Sequence, residues 1–403
     1  MENLFTISIN LINTLENIYV RECYDRLETD HRIVGIVGSR GIGKTTYLLY
    51  YLKSHYSNSD KGLYVSADDI YFSAHKLVDL VDEFIKERDG ELICIDEIHR
   101  YPNWVQELKN IYDRYPKFRV IFSGSSSINL IKQTYDLSRR AVLKAMYGFS
   151  FREYLEFTTS TKYPILSIDE IVQNRTLSMN GIRDIPGLIG KYKQYLKTGY
   201  YPLNFAFSDD MDTYEALLGL VDKTIYVDIA TYYLLKTSTL NVFKQILYFI
   251  HTSKPSIINP SKLANSLGKD NKDIAGYLDM LNDTGLLRYL LINKSGYALI
   301  RNTKKIYLNN PNLSYALQFD TGKLVEIGAL RELFVISHLD NAGYKVFYSK
   351  RGDIIVGKYV FEIGGKNKDA HQINSIENSY LLKDDVLLGG TRTIPIYLLG
   401  FLY

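Results

Sequence analysis

Ile33-Val34-Gly35-Ile36-Val37-Gly38-Ser39-Arg40-Gly41-Ile42-Gly43-Lys44-Thr45 is the stretch that decides the fold of this chain. Ile33 to Val37 is a short apolar run, and the eight residues after it match the pattern G-x-x-x-x-G-K-[ST] in full. Helical spacing follows at Thr45 to Lys53, so the loop stands between a predicted strand and a predicted helix. Glycines let backbone approach phosphate oxygens, and successive N–H groups with a helix N-terminus bind anions. Gly38, Ser39, Arg40, Gly41, Ile42, Gly43, Lys44, Thr45 and Thr46 are therefore the candidate phosphate cradle. Lys44 is expected on the β and γ phosphates of a nucleotide and the Thr45 hydroxyl on Mg²⁺.

Outward from the loop, three more apolar runs alternate with helical segments: Leu63 to Val65, Glu91 to Asp96 and Phe118 to Phe122. Leu77, Leu80, Val81 and Phe84 mark one helical face between them. Short runs apolar on both faces, separated by helices, predict an α/β domain with a covered parallel sheet. Leu92-Ile93-Cys94-Ile95 runs directly into Asp96-Glu97, which places two acids at the C-terminal edge of that sheet, where α/β ligands bind. Asp96 is expected to hold Mg²⁺, and Glu97 to act as the base or orient the attacking water. The fourth strand ends in Ser123-Gly124-Ser125-Ser126-Ser127; Ser125, with Ser123 next, is the candidate to sense a γ phosphate. A serine-rich turn capping the next helix is the other reading of that run. Arg139 and Arg140 offer guanidinium groups for charge on the γ phosphate, in cis or from a neighbouring subunit.

Composition narrows the rest. The chain has 403 residues, 46% hydrophobic and 23% charged, with a net charge of +3. These values fit two or three soluble globular domains and argue against a dominant polycationic surface. Two cysteines, Cys23 and Cys94, cannot build a disulfide framework or a four-thiolate zinc site. No apolar run reaches membrane-spanning length, and Met1 to Leu4 lacks the basic start of a secretory signal. The expected setting is cytoplasmic, with no membrane partner.

Polar Thr158 to Lys162 reads as the start of a linker. Beyond it, Leu240, Phe243, Leu247 and Ile250 share a helical face, a second helix starts at Asn259-Pro260, and Asp270 caps a third that ends before Gly285. Two β-like runs, Leu286 to Ile292 and Tyr297 to Ile300, complete the pattern of a winged helix-turn-helix. A helix near Leu330 to Leu339 then precedes strands at Lys345 to Tyr348, Asp353 to Val356 and Tyr359 to Ile363, with Gly357-Lys358 as a hairpin turn.

Several strings carry a resemblance: the loop Gly38 to Thr46, Ile95-Asp96-Glu97-Ile98-His99-Arg100-Tyr101-Pro102-Asn103-Trp104, Phe122 to Ser126, and Phe149-Ser150-Phe151-Arg152-Glu153-Tyr154-Leu155. Together they resemble prokaryotic AAA-type ATPases that carry a C-terminal domain of unknown function. The resemblance implies a P-loop NTPase core of AAA+ type in the STAND-like clade, then a helical lid, a winged helix and an α/β restriction-endonuclease-like domain. The expected boundaries are 1–157, 158–235, 236–302 and 303–403. It also implies ATP as the nucleotide, and a lid motif at Gly199-Tyr200-Tyr201-Pro202 that sets Pro202 near the base. Arg140 matches the family's arginine after the fourth strand, with Arg139 in place of its glycine. In the last domain Glu332, Asp353 and Glu362 sit like the acids of a PD-(D/E)xK nuclease. Gly364 stands where that motif has lysine, and Lys366 is displaced by two residues, so a fold without the nuclease chemistry is the preferred expectation.

The leading expectation is Mg²⁺-dependent ATP binding and hydrolysis that moves the winged helix and last domain. The alternative is an ATP-gated nucleic-acid-binding protein or nuclease. Asp270, Asp273, Asp279 and Asp283 on the third helix argue against a DNA partner there, since carboxylates repel phosphates. A homo-oligomer or a protein partner stays open. The apolar end Ile394 to Tyr403 is read either as a docking surface or, by preference, as a buried final element.

Overall fold

Alternation of strand and helix through the first 148 residues builds a five-stranded sheet: β1 (Ile33–Val37), β2 (Gly62–Ser66), β3 (Leu92–Asp96), β4 (Arg119–Gly124) and β5 (Ala141–Ala145). The computed structural model describes the chain except residues 17, 58, 125–136, 138, 174–180, 255–259 and 294–303. The strand order is β2-β3-β4-β1-β5, with every pairing parallel. Every residue of β1 and of β3 is buried, as expected for strands covered on both faces. Four strands coincide with the apolar runs of the sequence. β5 does not, because its Ala141-Val142-Leu143-Lys144-Ala145 is an edge strand whose side chains are half-buried or exposed.

Among the described residues the α-helices of this unit are α1 (Glu2–Asn13), α2 (Cys23–Leu27), α3 (Lys44–Tyr56), α4 (Leu77–Arg88) and α5 (Trp104–Arg114). Leu77, Leu80, Val81 and Phe84 of α4 and Trp104, Leu108 and Ile111 of α5 enter the core against Leu63, Ile93, Ile95 and Phe122. Their spacing of three and four residues puts each set on one helical face.

The compact units divide at Gly148/Phe149, ahead of the expected boundary at 157. The stretch expected to begin a linker, Thr158 to Lys162, instead starts inside the last turn of a helix, Phe151–Thr159, opened by a capping box between Ser150 and Glu153. The described part of 160–235 is mainly helical, including two π-helical turns at Tyr195–Gly199 and Thr224–Ile229. Helices Thr237–Thr252, Pro260–Leu267 and Asn271–Asp283 follow, then β6 (Leu287–Ile292) and β7 (Lys304–Leu308). The predicted strand at Tyr297 to Ile300 lies outside the described residues.

β6 and β7 pair antiparallel with Leu287 opposite Leu308, so an expected domain boundary at 302/303 falls within this pair. β6 also pairs in parallel with β8 (Val346–Tyr348). With β9 (Ile354–Val356), β10 (Tyr359–Gly364), β11 (Ser379–Lys383) and β12 (Thr393–Pro395), these strands form one sheet ordered β12-β11-β10-β9-β8-β6-β7. Gly357 takes φ 56 in the two-residue turn between β9 and β10, as anticipated.

The C-terminal end is interior. Ile396–Phe401 forms a 3₁₀ helix whose residues are all buried, and Gly400 lies so close to Phe151 that a Cβ would stand 2.5 Å from the Phe151 Cβ. The Tyr403 carbonyl accepts from Ser150 Oγ at 2.7 Å and from Arg152 Nε at 3.1 Å. Packing this closed leaves no apolar docking surface at the tail.

Candidate functional site: the phosphate loop and its acidic edge

The loop between β1 and α3 is shaped by glycine conformations that other residues rarely adopt. Gly41 has φ 78 and Gly43 has φ 95, and a Cβ on Gly38 would fall 2.3 Å from the Met146 carbonyl oxygen. Ile42 is buried as the loop's anchor. Arg21, itself buried, holds the loop from behind by donating to the carbonyls of Ile42 at 3.2 Å, Tyr147 at 2.9 Å and Gly148 at 3.1 Å. Lys44 Nζ curls over the loop and donates to the Gly38 and Ser39 carbonyls, each at 2.8 Å. Thr45 and Thr46 open α3 beside it.

The strand order brings the acids to this loop. β4 lies between β1 and β3, and parallel register sets Val37 beside Gly124 and Ile95 beside Phe122. The next residues, Asp96 and Ser123, are therefore neighbours. Asp96 is the hub: its Oδ2 accepts from Thr45 Oγ1 at 2.5 Å and from the Tyr64 hydroxyl at 3.1 Å. Its Oδ1 accepts from Ser123 Oγ and from the Glu97 backbone N–H at 3.1 Å. Burial, and then the charge of Asp96, push the Tyr64 phenol well above its ordinary range, so it stays a donor. Charge-assisted bonds of this kind are roughly twice as strong as neutral ones.

Glu97 has a left-handed backbone, φ 51. Its N–H is shared between Asp96 Oδ1 and Ser123 Oγ, both at 3.1 Å. Its carboxylate meets Arg40 Nη2 at 3.1 Å and His99 Nε2 at 3.4 Å. The structure thus brings Arg40, Lys44, Thr45, Asp96, Glu97 and Ser123 to one edge of the sheet.

Other expected residues lie elsewhere. Ser125 is outside the described residues. Arg139 and Arg140 precede β5, whose Ala141 is level with Ile33 at the start of β1. At about 3.3 Å per residue they sit about 16 Å along the sheet from the loop. There Arg140 makes a two-pronged pair with Asp113, at 3.1 Å for each bond. That position excludes action in cis on a phosphate held by the same loop. Pro202 belongs to the second unit, where it opens the 3₁₀ helix Pro202–Ala206.

Of the three C-terminal acids, Glu332 and Glu362 each face a lysine, and Asp353 accepts from a backbone N–H. Glu332 Oε2 accepts from the Tyr307 hydroxyl at 2.5 Å, with Lys305 Nζ at 3.5 Å. Asp353 Oδ2 accepts from the Ile363 N–H at 2.7 Å; burial raises its carboxyl above the usual range, with Glu332 adding to the rise. Buried Glu362 meets Lys368 Nζ at 2.7 Å, not Lys366, which is exposed. Lys368 packs directly over Gly364, since a Cβ there would stand 2.4 Å from the Lys368 Cβ. Glu362 Oε2 is buried and has no hydrogen-bond partner among the described residues. Among those residues no group of three or more His, Cys, Asp or Glu is gathered to hold a metal.

Sequence inspection missed Arg21, Tyr64 and Lys368. Nothing local marks them: each acts across a fold, at separations of 21 to 127, 32 and 6 residues.

Residues 30–155 match the family model described as an AAA domain, and residues 189–323 match a domain of unknown function, DUF8612. The second match runs across the boundaries expected at 235/236 and 302/303. An uncharacterised protein of Methanocaldococcus jannaschii is 27% identical over 383 residues, covering 87% of this chain and 80% of that protein. An uncharacterised protein of Haemophilus influenzae is 21% identical, covering 90% of each. Among solved structures, DnaA of Aquifex aeolicus bound to AMPPCP is 15% identical with a TM-score of 0.25, covering 69% of this chain and 88% of that one. The S. cerevisiae Hsp104–ADP complex is 13% identical with a TM-score of 0.27, covering 70% and 39%. No helix among the described residues is long and apolar enough to cross a membrane. The parallel sheet and the complete loop motif agree with the match of residues 30–155 to an AAA domain and with a P-loop NTPase fold there.

Proposed function

We propose that this protein binds ATP with Mg²⁺ and hydrolyses it, using the turnover to reposition the winged-helix and C-terminal segments. The observation that carries this is the Asp96 hub, where Thr45, Ser123 and the Glu97 N–H converge on one carboxylate at the mouth of the phosphate loop. Thr45 Oγ1 and Asp96 Oδ2, 2.5 Å apart, are hard oxygen donors that suit Mg²⁺ completed by water and phosphate. The ion supplies charge neutralisation on the phosphate oxygens.

The loop amides and the N-terminus of α3 take the phosphate chain, and Lys44 leaves its two carbonyls for the β and γ oxygens. Glu97, fixed by its N–H, takes a proton from water as the water oxygen attacks the γ phosphorus. The bond from phosphorus to the β–γ bridging oxygen breaks, leaving ADP and inorganic phosphate. Ser123, rather than the undescribed Ser125, supports this edge through Asp96. Arg139 or Arg140 acts on the site of another copy, which makes the active form a homo-oligomer. Pro202 remains the candidate contact to the base. Calorimetry and turnover on the full chain test the assignment. Lys44→Ala should lose ATP uptake. Glu97→Gln should bind ATP within a few-fold of wild type and hydrolyse it at least 10²-fold more slowly. Wild-type turnover in Glu97→Gln refutes the role given to that residue.

A second reading, Mg²⁺-dependent phosphodiester cleavage in the last domain, is favoured by one observation. Lys368 fills the space of the lysine that Gly364 lacks, beside the unpartnered Glu362 Oε2. The donor set suits a divalent cation held by Asp353 and Glu362, which would polarise the phosphate. Plasmid incubated with the protein and Mg²⁺ or Mn²⁺ decides it. Cleavage abolished by Asp353→Ala and by Lys368→Ala supports this reading. Intact plasmid restores the expectation of a fold without that chemistry.

A further inference from the structure

Tyr64 reaches the proposed site from a strand that carries no motif. It lies on β2, opposite Cys94 of β3, and is buried. Its hydroxyl donates to Asp96 Oδ2 at 3.1 Å, the oxygen that also accepts from Thr45 Oγ1 at 2.5 Å. β2 is the edge of its sheet, and Tyr64 is fixed there from outside, because its N–H donates to the buried Ser8 Oγ of α1 at 3.0 Å. Neither of these two bonds involves the phosphate loop.

The two oxygens of Asp96 are held by different sets of donors. Oδ1 accepts from Ser123 and from the Glu97 N–H, both on the acidic edge itself. Oδ2 has two donors among the described residues, Thr45 and Tyr64. Thr45 is the residue that the ATPase reading gives to Mg²⁺, so Tyr64 is the one of the two not assigned to the ion. We infer that Tyr64 is a positioning residue for the cation: its hydroxyl holds Asp96 Oδ2 beside Thr45 and so sets both the affinity and the selectivity for Mg²⁺. The inference rests on the ATPase reading and deepens it at a residue that reading does not use.

Loss of the hydroxyl acts in two directions. Charge on Oδ2 is shared with fewer donors, which strengthens its attraction to any divalent cation. The carboxylate also turns more freely about Cβ–Cγ, which spoils a fixed geometry. Geometry decides for Mg²⁺, which demands near-octahedral oxygens at about 2.0–2.1 Å; it matters less for Ca²⁺, which accepts about six to eight oxygens in irregular arrangements. Losing an outer partner of a liganding group costs about 10- to 100-fold in metal affinity. The two donors that stay on Oδ1 put this loss at the lower end.

The test is the cation dependence of AMPPCP uptake by the full chain, AMPPCP being a triphosphate analogue that resists hydrolysis. Calorimetry reads it at a series of free Mg²⁺ or Ca²⁺ concentrations and in EDTA. Tyr64→Phe keeps the ring and removes one oxygen. It should raise the Mg²⁺ concentration for half-maximal uptake about 10-fold, move the Ca²⁺ value by less than about 3-fold, and leave binding in EDTA within about 2-fold. Ser8→Ala removes the outer anchor of the same residue and keeps the hydroxyl on Asp96, so its Mg²⁺ midpoint should stay within about 2-fold of wild type. An unmoved Mg²⁺ midpoint in Tyr64→Phe overturns the inference. So does an equal rise with both cations, or an equal rise in Ser8→Ala, because charge or general loosening then explains the effect. A wild-type chain that takes up no AMPPCP overturns the ATPase reading, and this inference falls with it. Wild-type uptake that is the same in Mg²⁺ and in EDTA overturns the cation assignment alone.

Discussion

Ser123→Ala removes one oxygen from the centre of the proposed site, and its consequences can be worked out from the bonds that oxygen makes. Ser123 is fully buried; its hydroxyl donates to Asp96 Oδ1 and accepts from the Glu97 N–H at 3.1 Å. A hydrogen bond to a charged group contributes about 1.5–3 kcal/mol. Asp96 keeps Thr45, Tyr64 and the Glu97 N–H, so the carboxylate is not orphaned and the lower half of that range applies. Stability should fall by about 2 kcal/mol. Glu97 also loses one of two anchors on a left-handed backbone, a conformation that costs a non-glycine residue about 1–2 kcal/mol. Loosening it should lower kcat about 10-fold, equivalent to about 1.4 kcal/mol, with ATP affinity changed less than 3-fold. The single tryptophan, Trp104, packs at a tilt against Phe122 with ring centroids 5.5 Å apart, one residue from the substitution. Its fluorescence during urea unfolding of the full chain therefore reports on this unit. A loss of stability under 0.5 kcal/mol together with kcat within 2-fold of wild type would refute the hub.

Three further outcomes are expected. His338 is buried with Nδ1 on the Phe334 carbonyl at 2.8 Å, while Nε2 faces the Phe151 N–H and the Tyr195 hydroxyl; burial lowers it to about 3. Its folded value is depressed, so its contribution is full above about pH 6.5 and is lost as pH falls towards 3. Between pH 6 and 4.5, His338→Gln should flatten stability against pH by about 1.4 kcal/mol per unit, read by circular dichroism; an unchanged slope contradicts the burial of a neutral ring. Arg152 and Glu156 form a buried pair at 2.6 Å, with Lys162 at 3.2 Å from the same carboxylate. Arg152→Met should cost about 3 kcal/mol, the low end for breaking such a pair because Lys162 remains, and a neutral result in thermal melts would discount it. Arg140→Ala should leave ATP affinity unaltered; turnover per chain that no longer rises with protein concentration would assign this arginine to a neighbouring copy, and unaltered turnover would release it from any catalytic role.

What the sequence by itself determined is local or periodic. The phosphate loop is one contiguous string, Asp96-Glu97 ends an apolar run, and strands β1 to β4 are covered on both faces and so read as unbroken apolar stretches. β5 escaped notice because an edge strand has no such run, and the helix Phe151–Thr159 because its polar end reads as linker. Tertiary structure alone decided how separate strings meet. Strand order made Ser123 the neighbour of Asp96, put Arg40 against Glu97, and carried Arg139 and Arg140 to the opposite edge of the sheet. It also joined β6 to β8 in one sheet and laid Lys368 over Gly364. The physical reason is that pairing register and side-chain reach depend on contacts between residues far apart in the chain, and no spacing within a single segment encodes them.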